Sequence, residues 1–351
     1  MLYNKLIRPI LFTLDPETAH EWGIQALSIL AKASPVCSLL KRFLLCEKNP
    51  VKAFGLTFPN CIGQAAGLDK DGLFPASSEA LGFGFVEVGT VTPLPQSGND
   101  RPRLFRFPQH LALVNRMGFN NRGAEALKQS LTEKFPSHLR AIPLGINLGK
   151  GKSTPLSDAL TDYCSGFDIA ASEADYITIN ISSPNTPDLR KLQKGEFLDP
   201  LLLGIKEHRN KWAKENNRVS PPCLLKISPD ESFKDLEIII GKAMEYQFDG
   251  VIACNTSIKP PEQMKKSVAL PDGGISGKPI ETRANQVIKF IDRLTDSKFP
   301  IIGSGGIYDY DSAQRKLDSG ACLLQIYTSV IYEGPLWPSR LAKRMPLAKS
   351  F

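Results

Sequence analysis

Lys70 and Lys226 each close an apolar, β-branched run, and a set of amides, hydroxyls and glycines closes six more. Lys70 ends the stretch Ala65-Ala66-Gly67-Leu68-Asp69-Lys70. Thr90 follows Gly89 at the end of a second run, and Asn147, Asn180 and Asn255-Thr256 end three others. The last two run into Gly303-Ser304-Gly305-Gly306 and into Tyr327-Thr328. A single lysine at such a place can be a surface residue with its ammonium in water. Two of them beside so many amides suit a ring-shaped anionic ligand or cofactor, whose developing charge fixed cations stabilise. The glycine-rich segment with Tyr327-Thr328 matches a phosphate cradle, in which backbone N–H groups point at the anion and glycine permits close approach. Its plain alternative is a tight turn that needs positive φ.

These groups converge only if the runs that carry them do. Eight runs, at 62–66, 85–91, 142–148, 176–182, 223–228, 250–255, 300–304 and 322–327, alternate with helix-length stretches. Strands that are apolar on both faces and separated by helices predict a closed parallel (β/α)8 barrel, a TIM barrel, with every polar strand end on one face. The segment from Thr92 to Asn115 is too long for an ordinary βα loop and reads as an excursion over the barrel top.

The first 48 residues follow a different period. Ile7, Ile10, Leu11 and Leu14 recur as one helix face, Asp15-Pro16-Glu17 is a helix start, and Ser34-Pro35 repeats the start signal. The expected organisation is therefore a small N-terminal helical extension, residues 1–48, before a barrel domain, residues 49–351.

Composition narrows the partners. The 351 residues are 42% hydrophobic and 23% charged, with a net charge of +7, and the basic residues are dispersed, which argues against nucleic acid. Seven cysteines without a C-x-x-C pair and four histidines without ligand spacing predict a reducing compartment and no metal site. Gly151-Lys152-Ser153 resembles the end of a P-loop, but Ile146 stands where its first glycine is required. No signal peptide is recognised and no run reaches the ~18 apolar residues of a spanning helix, so the expected location is the cytosol or its membrane face.

With these residues in hand, the chain resembles the dihydroorotate dehydrogenases over essentially its whole length. The motifs that carry the resemblance are Ala65 to Lys70, Gly98 to Arg106, Asn115 to Asn121, Asn180-Ile181-Ser182-Ser183-Pro184-Asn185-Thr186 and Tyr327-Thr328. The resemblance implies an FMN on the barrel top, touched by Ala66, Gly67, Lys70, Thr90, Asn147, Asn180, Lys226, Cys254, Gly277, Gly306, Tyr327 and Thr328. It implies dihydroorotate beside it, held by Lys70, Asn115, Arg116, Met117, Gly118, Phe119, Asn180, Asn185, Asn255 and Thr256. Cys254 departs from the family, whose members usually have threonine there; a thiol is the poorer hydrogen-bond partner.

The resemblance also implies the chemistry. Ser183 stands where the family has the base that removes the C5 proton of dihydroorotate while C6 passes a hydride to flavin N5, giving orotate in de novo pyrimidine (UMP) synthesis. The soluble class has cysteine at that position and lacks such an extension, so Ser183 and the helical N-terminus both select the quinone-dependent class. The expected acceptor is ubiquinone or menaquinone, admitted through a tunnel lined by His20, Arg106 and Tyr327. Apolar helices carrying Lys5, Arg8, Lys41 and Arg42 would place a monomer peripherally on the cytoplasmic face of the cell membrane; the alternative is a helical pair that only caps the barrel. Competing readings are a fumarate- or NAD-linked dehydrogenase, a flavin barrel that reduces pyrimidines in nucleic acid, and a non-catalytic flavin-binding protein.

Overall fold

The computed structural model describes residues 3–351. Eight parallel strands close into a barrel in chain order: β1 (Ile62–Gln64), β2 (Phe85–Val91), β3 (Leu144–Leu148), β4 (Tyr176–Asn180), β5 (Cys223–Ile227), β6 (Gly250–Ala253), β7 (Ile301–Ser304) and β8 (Leu323–Ile326). β8 returns to β1, with Leu324 opposite Ile62. Every strand residue is buried, which is why each strand reads as a continuous run and not as an alternation. The eight expected strands are all present. Residues 65–66 and 254–255, expected as strand, lie just past the ends of β1 and β6 and line the barrel mouth. Ala65, Cys254 and Asn255 still donate their N–H groups to the Ile326, Ser304 and Ile227 carbonyls of neighbouring strands.

Small residues inside the barrel make room for rings from the next strand. A Cβ on Gly63 would lie 2.2 Å from the Phe85 ring, and one on Gly145 would lie 2.1 Å from the Tyr176 ring. At the N-terminal end a hairpin of Val51–Ala53 and Leu56–Phe58 forms the floor. Its turn residues Phe54 and Gly55 both have positive φ, the geometry that matches a two-residue hairpin to strand twist. Phe58 meets Phe85 edge-on at 5.2 Å, and the C-terminal residue Phe351 donates its N–H to the Lys52 carbonyl at 2.7 Å.

The excursion after β2 is more ordered than the sequence reading allowed. Leu104–Phe107 and Ala112–Asn115 form a hairpin, and Gly274–Gly277, from the far side of the barrel, adds a third antiparallel strand. None of the three was among the expected strands. They are short, and their partners come from loops distant in sequence, so no local period announces them.

Before the barrel come a π-turn (Tyr3–Ile7) and three helices, α1 (Arg8–Thr13), α2 (Pro16–Lys32) and α3 (Ser34–Leu44). Asp15 caps α2 by accepting from the N–H groups of Glu17 and Thr18, both at 3.0 Å. Ser34 does not cap α3: it lies within the first turn, and Ala33 holds the cap position without a side-chain bond. The extension is fastened to the barrel by Ser77 Oγ donating to the Leu27 carbonyl (2.7 Å) and by Lys41 on Glu79 (3.1 Å). Ile10, Ile29 and Phe43 remain 66%, 69% and 64% exposed on its outer side. Among the described residues no single helix is long and apolar enough to cross a membrane; α2 and α3 reach that length only together, across a 99° bend.

Candidate active site

The C-terminal ends of the strands and the three-stranded cover line one cleft that opens to solvent. Of the residues singled out from the sequence as cofactor contacts, Ala66, Gly67, Lys70, Thr90, Asn180, Lys226, Cys254, Gly277, Gly306, Tyr327 and Thr328 line it. So do Asn115, Met117, Gly118, Phe119, Ser183, Asn185, Asn255 and Thr256. Asn147 lies one layer deeper, fully buried beneath Thr90. Arg116 is not brought in. Its guanidinium donates to the Pro102 carbonyl at 2.8 and 3.0 Å and lies over the Phe105 ring, so it staples the cover from outside.

The floor of the cleft is one connected polar network. Glu87, 0% exposed, accepts from Asn147 Nδ2 (2.8 Å), Thr178 Oγ1 (3.1 Å), Tyr176 OH (3.2 Å) and Gln325 Nε2 (2.9 Å), and lies 3.4 Å from Lys226 Nζ. Thr90 Oγ1 donates to Asn147 Oδ1 at 2.5 Å, and Asn180 Nδ2 donates to Thr90 Oγ1 (3.0 Å) and to Asn147 Oδ1 (3.1 Å). A buried carboxylate is tolerable only when it is this well partnered. Glu87 was missed in the sequence, although an acid inside the apolar run Phe85-Val86-Glu87-Val88 is itself the signal.

Above this floor the groups have open valences. Lys70 makes no hydrogen bond or ion pair among the described residues, and burial pushes its ammonium down to about 8. An amine so held is a ready partner for an anion placed in the cleft. Burial likewise pushes the Cys254 thiol up to about 12, so it is a neutral thiol at the wall. Gly305 and Gly306 both have positive φ, and a Cβ on Gly306 would meet Glu281 Cα at 2.3 Å, so only glycine lets this loop run where it does. Opposite it Thr328 Oγ1 donates to Ser276 Oγ at 2.8 Å. Loop, hydroxyls and nearby N–H groups suit a phosphate, and the two lysines with the amide floor suit an anionic heterocycle.

Ser183 is 5% exposed and its Oγ accepts from the Asn185 N–H at 3.3 Å, so the hydroxyl also serves the turn. Asn185 Nδ2 donates to Asn115 Oδ1 at 3.1 Å, joining this loop to the cover. Asn255 Nδ2 donates to Ser182 Oγ (3.0 Å) and Asn180 Oδ1 (3.3 Å). Two residues outside the expected contact sets stand beside them, Thr186 from the quoted motif and Arg190 from beyond it. Thr186 Oγ1 is buried without a hydrogen-bond partner among the described residues. Arg190 donates to the carbonyls of Ser182 (3.1 Å) and Thr256 (3.0 Å) and pairs with Asp230 at 2.8 Å, tying the loops after β4 and β6 together. Among the described residues no group of three His, Cys, Asp or Glu side chains is placed to hold a metal.

The three residues expected along a tunnel are arranged unevenly. The His20 ring lies 6.4 Å from the Tyr327 ring; its Nε2 is buried without a partner among the described residues, and burial followed by the Lys70 charge pushes it down to about 3. Arg106 is spoken for: it donates to the carbonyls of Leu11 (3.0 Å), Phe12 and Leu14 and lies 4.5 Å from the centre of the Phe12 ring. Its role in this arrangement is to hold the end of α1 against the cover.

A family model described as dihydroorotate dehydrogenase matches residues 49–348. A protein named dihydroorotate dehydrogenase (quinone) from Cyanothece sp. is 50% identical over 95% of this chain and 92% of its own length. One of the same name from Haemophilus ducreyi is 44% identical over 97% of this chain and 99% of its own length. A third, from Synechococcus sp., is 43% identical over 99% and 93% respectively. Among solved structures, the Eimeria tenella DHODH in complex with ferulenol superposes with a TM-score of 0.84 at 32% identity, covering 94% of this chain and 90% of that one.

Proposed function

The chain belongs to the dihydroorotate dehydrogenase family, and from that premise we propose that it oxidises dihydroorotate to orotate with FMN and delivers the electrons to a membrane quinone. The observation that carries the reading is the cleft itself, where a hydroxyl, two lysines and an amide set meet beside a glycine-lined anion cradle. FMN fits it. Gly305, Gly306 and Thr328 would take the phosphate, Lys226 and the Thr90–Asn180 floor the polar edge of the ring, and Tyr327 the wall. When bound, FMN supplies at N5 an acceptor for the hydride leaving C6 of the substrate.

The remaining work falls to the chain. Asn115, Asn185, Asn180 and Asn255 present donors and acceptors that pair with the alternating carbonyls and N–H groups of the substrate ring, and Lys70 meets its carboxylate. Ser183 takes the C5 proton. A serine hydroxyl is a weak base, so it must pass its own proton on as it accepts another, in a site closed to water. Thr186, three residues along and buried without a partner among the described residues, is the candidate relay, taking that proton as it gives up its own toward solvent.

Residues 1–48 would serve as the quinone and membrane unit, and 49–351 as the catalytic barrel. Residues 1 and 2 of that unit lie outside the described residues. The exposed apolar side chains of the extension are its contact with lipid, and a quinone ring would pass between α2 and Tyr327 beside His20. Of the four cations expected to face lipid headgroups, Lys41 is paired with Glu79 and Arg8 donates to the Tyr332 carbonyl, which leaves Lys5 and Arg42 for that role. The protein would act as a monomer at the cytoplasmic face of the membrane. The test is spectroscopic: purified protein should be yellow, be bleached anaerobically by dihydroorotate, and regain colour with a quinone analogue but not with fumarate or NAD. Protein that takes up no FMN, or whose colour dihydroorotate leaves unchanged, defeats the proposal.

A further inference from the structure

One guanidinium joins the N-terminal helices to the loops of the substrate pocket. Arg103 is 8% exposed and Glu17, in the first turn of α2, is 4% exposed. Arg103 Nε donates to both carboxylate oxygens of Glu17 (3.0 and 3.2 Å) and Nη2 donates to Oε1 (2.8 Å). Its remaining nitrogen, Nη1, donates to the carbonyls of Ser97 (2.7 Å) and Asn99 (2.9 Å). Asn99 carries the connection onward. Its Nδ2 donates to the carbonyls of Arg116 (3.0 Å) and Asn185 (3.1 Å), and its N–H donates to the Met117 carbonyl (3.0 Å). Two residues thus link α2 to the loop of Asn115–Phe119 and to the loop of Ser183 and Asn185. One turn along α2 from Glu17, His20 lies against Tyr327 at the cleft wall.

The guanidinium is planar, with its donors in a fixed fork. A shift of Glu17 that rotates the fork on one side must move the carbonyls it holds on the other. We propose that Glu17 and Arg103 are positioning residues that couple the seat of α2 to the shape of the substrate pocket. An apolar ring compound wedged between α2 and Tyr327 then tightens binding of orotate, and orotate tightens binding of that compound by the same factor, as linkage requires. The inference rests on the function proposed above and adds that the two halves of the reaction communicate.

Calorimetric titration of orotate, with and without a saturating 2-hydroxy-3-alkyl-1,4-naphthoquinone, measures the coupling with no electron source present. In the unaltered protein the quinone should tighten orotate about fivefold or more. Glu17→Gln, which touches neither ligand, should weaken orotate about tenfold and abolish the mutual effect while both ligands still bind. Arg103→Lys keeps the charge but cannot span carboxylate and carbonyls together, and should lose the coupling too. A general loss of stability would weaken both ligands and leave their mutual effect intact, and that pattern overturns the proposal. Should both variants fail to fold, amide hydrogen exchange in the unaltered protein decides: the quinone must slow exchange over residues 97–119, and orotate over 16–23. Binding of both ligands without reciprocal protection overturns it. Unaltered protein that binds no orotate at all defeats the proposed function itself.

Discussion

Lys226 Nζ stands 3.4 Å from Glu87 Oε1 in the middle of the barrel, with Lys226 5% and Glu87 0% exposed. Glu87 lies beneath the cleft that Lys226 lines, so in the ligand-free protein the loss of the carboxylate can be read in the fold. Glu87→Gln should lower the unfolding free energy by about 3–5 kcal/mol, because it leaves the ammonium without its counter-ion and turns an N–H2 toward existing donors. Urea unfolding at neutral pH checks this, and a loss under about 1 kcal/mol would mean that Lys226 is held by something other than Glu87.

Ser183→Ala should retain bound flavin but reduce it about 10²- to 10⁴-fold more slowly with dihydroorotate. Stopped-flow absorbance gives the rate. Near-normal bleaching would leave the hydroxyl with only its turn-forming bond to Asn185.

Burial sets a pH limit on Lys70. With its ammonium pushed down to about 8, orotate affinity should hold below that pH and fall about tenfold per unit above it, as the cation that meets the carboxylate is lost. The unliganded fold should behave in the opposite sense. Between about 8 and 10.5 the unfolded chain binds the proton that the folded one has released, so stability rises with pH. Lys70→Met should remove both effects, seen by titrating orotate and by urea midpoints across that window.

His20 gives the acid counterpart. Its folded value of about 3 against 6.5 when unfolded means that the unfolded state binds the extra proton as pH falls from 6.5, so stability is lost through that window. His20→Phe should flatten the loss, by up to about 1.4 kcal/mol per pH unit, while the rest of the acid unfolding curve is kept. A variant with the same slope as the parent would show that His20 is reached by solvent.

The outer face of the extension should bind lipid. Replacing Ile29 and Phe43, 69% and 64% exposed, by serine should weaken sedimentation with anionic vesicles about tenfold or more per side chain and leave flavin reduction by dihydroorotate unchanged. Unaltered vesicle binding would count against the membrane role of this face.

What could be read in the sequence follows from how each element is stabilised. The barrel strands were legible because burial on both faces writes an unbroken apolar run, and the helix start at Asp15 because a cap is local chemistry. The cover was not. Gly274–Gly277 is a strand only because Ala112–Asn115 lies beside it, and nothing near residue 274 encodes that meeting. The same limit divides the candidate site. Lys70, Lys226 and the asparagines announced themselves as polar groups at strand ends. Glu87, inside an apolar run, was passed over, and the outward turn of Arg116 depends on the Pro102 carbonyl that it finds there. Types and positions were visible; the direction of a long side chain was not.

Seven of the barrel's eight contacts join strands that follow one another along the chain, and the eighth joins the last strand to the first. The floor hairpin is finished later still, when Phe351 and Ser350 bond to Lys52. During synthesis the growing chain therefore carries an open sheet with two bare edges until β8 leaves the ribosome. A truncation that removed only β8 and the tail would not trim the molecule at its margin. It would leave a curved sheet that pairs edge to edge with its own copies, so C-terminal nonsense products should accumulate as aggregates and not as weakened enzyme.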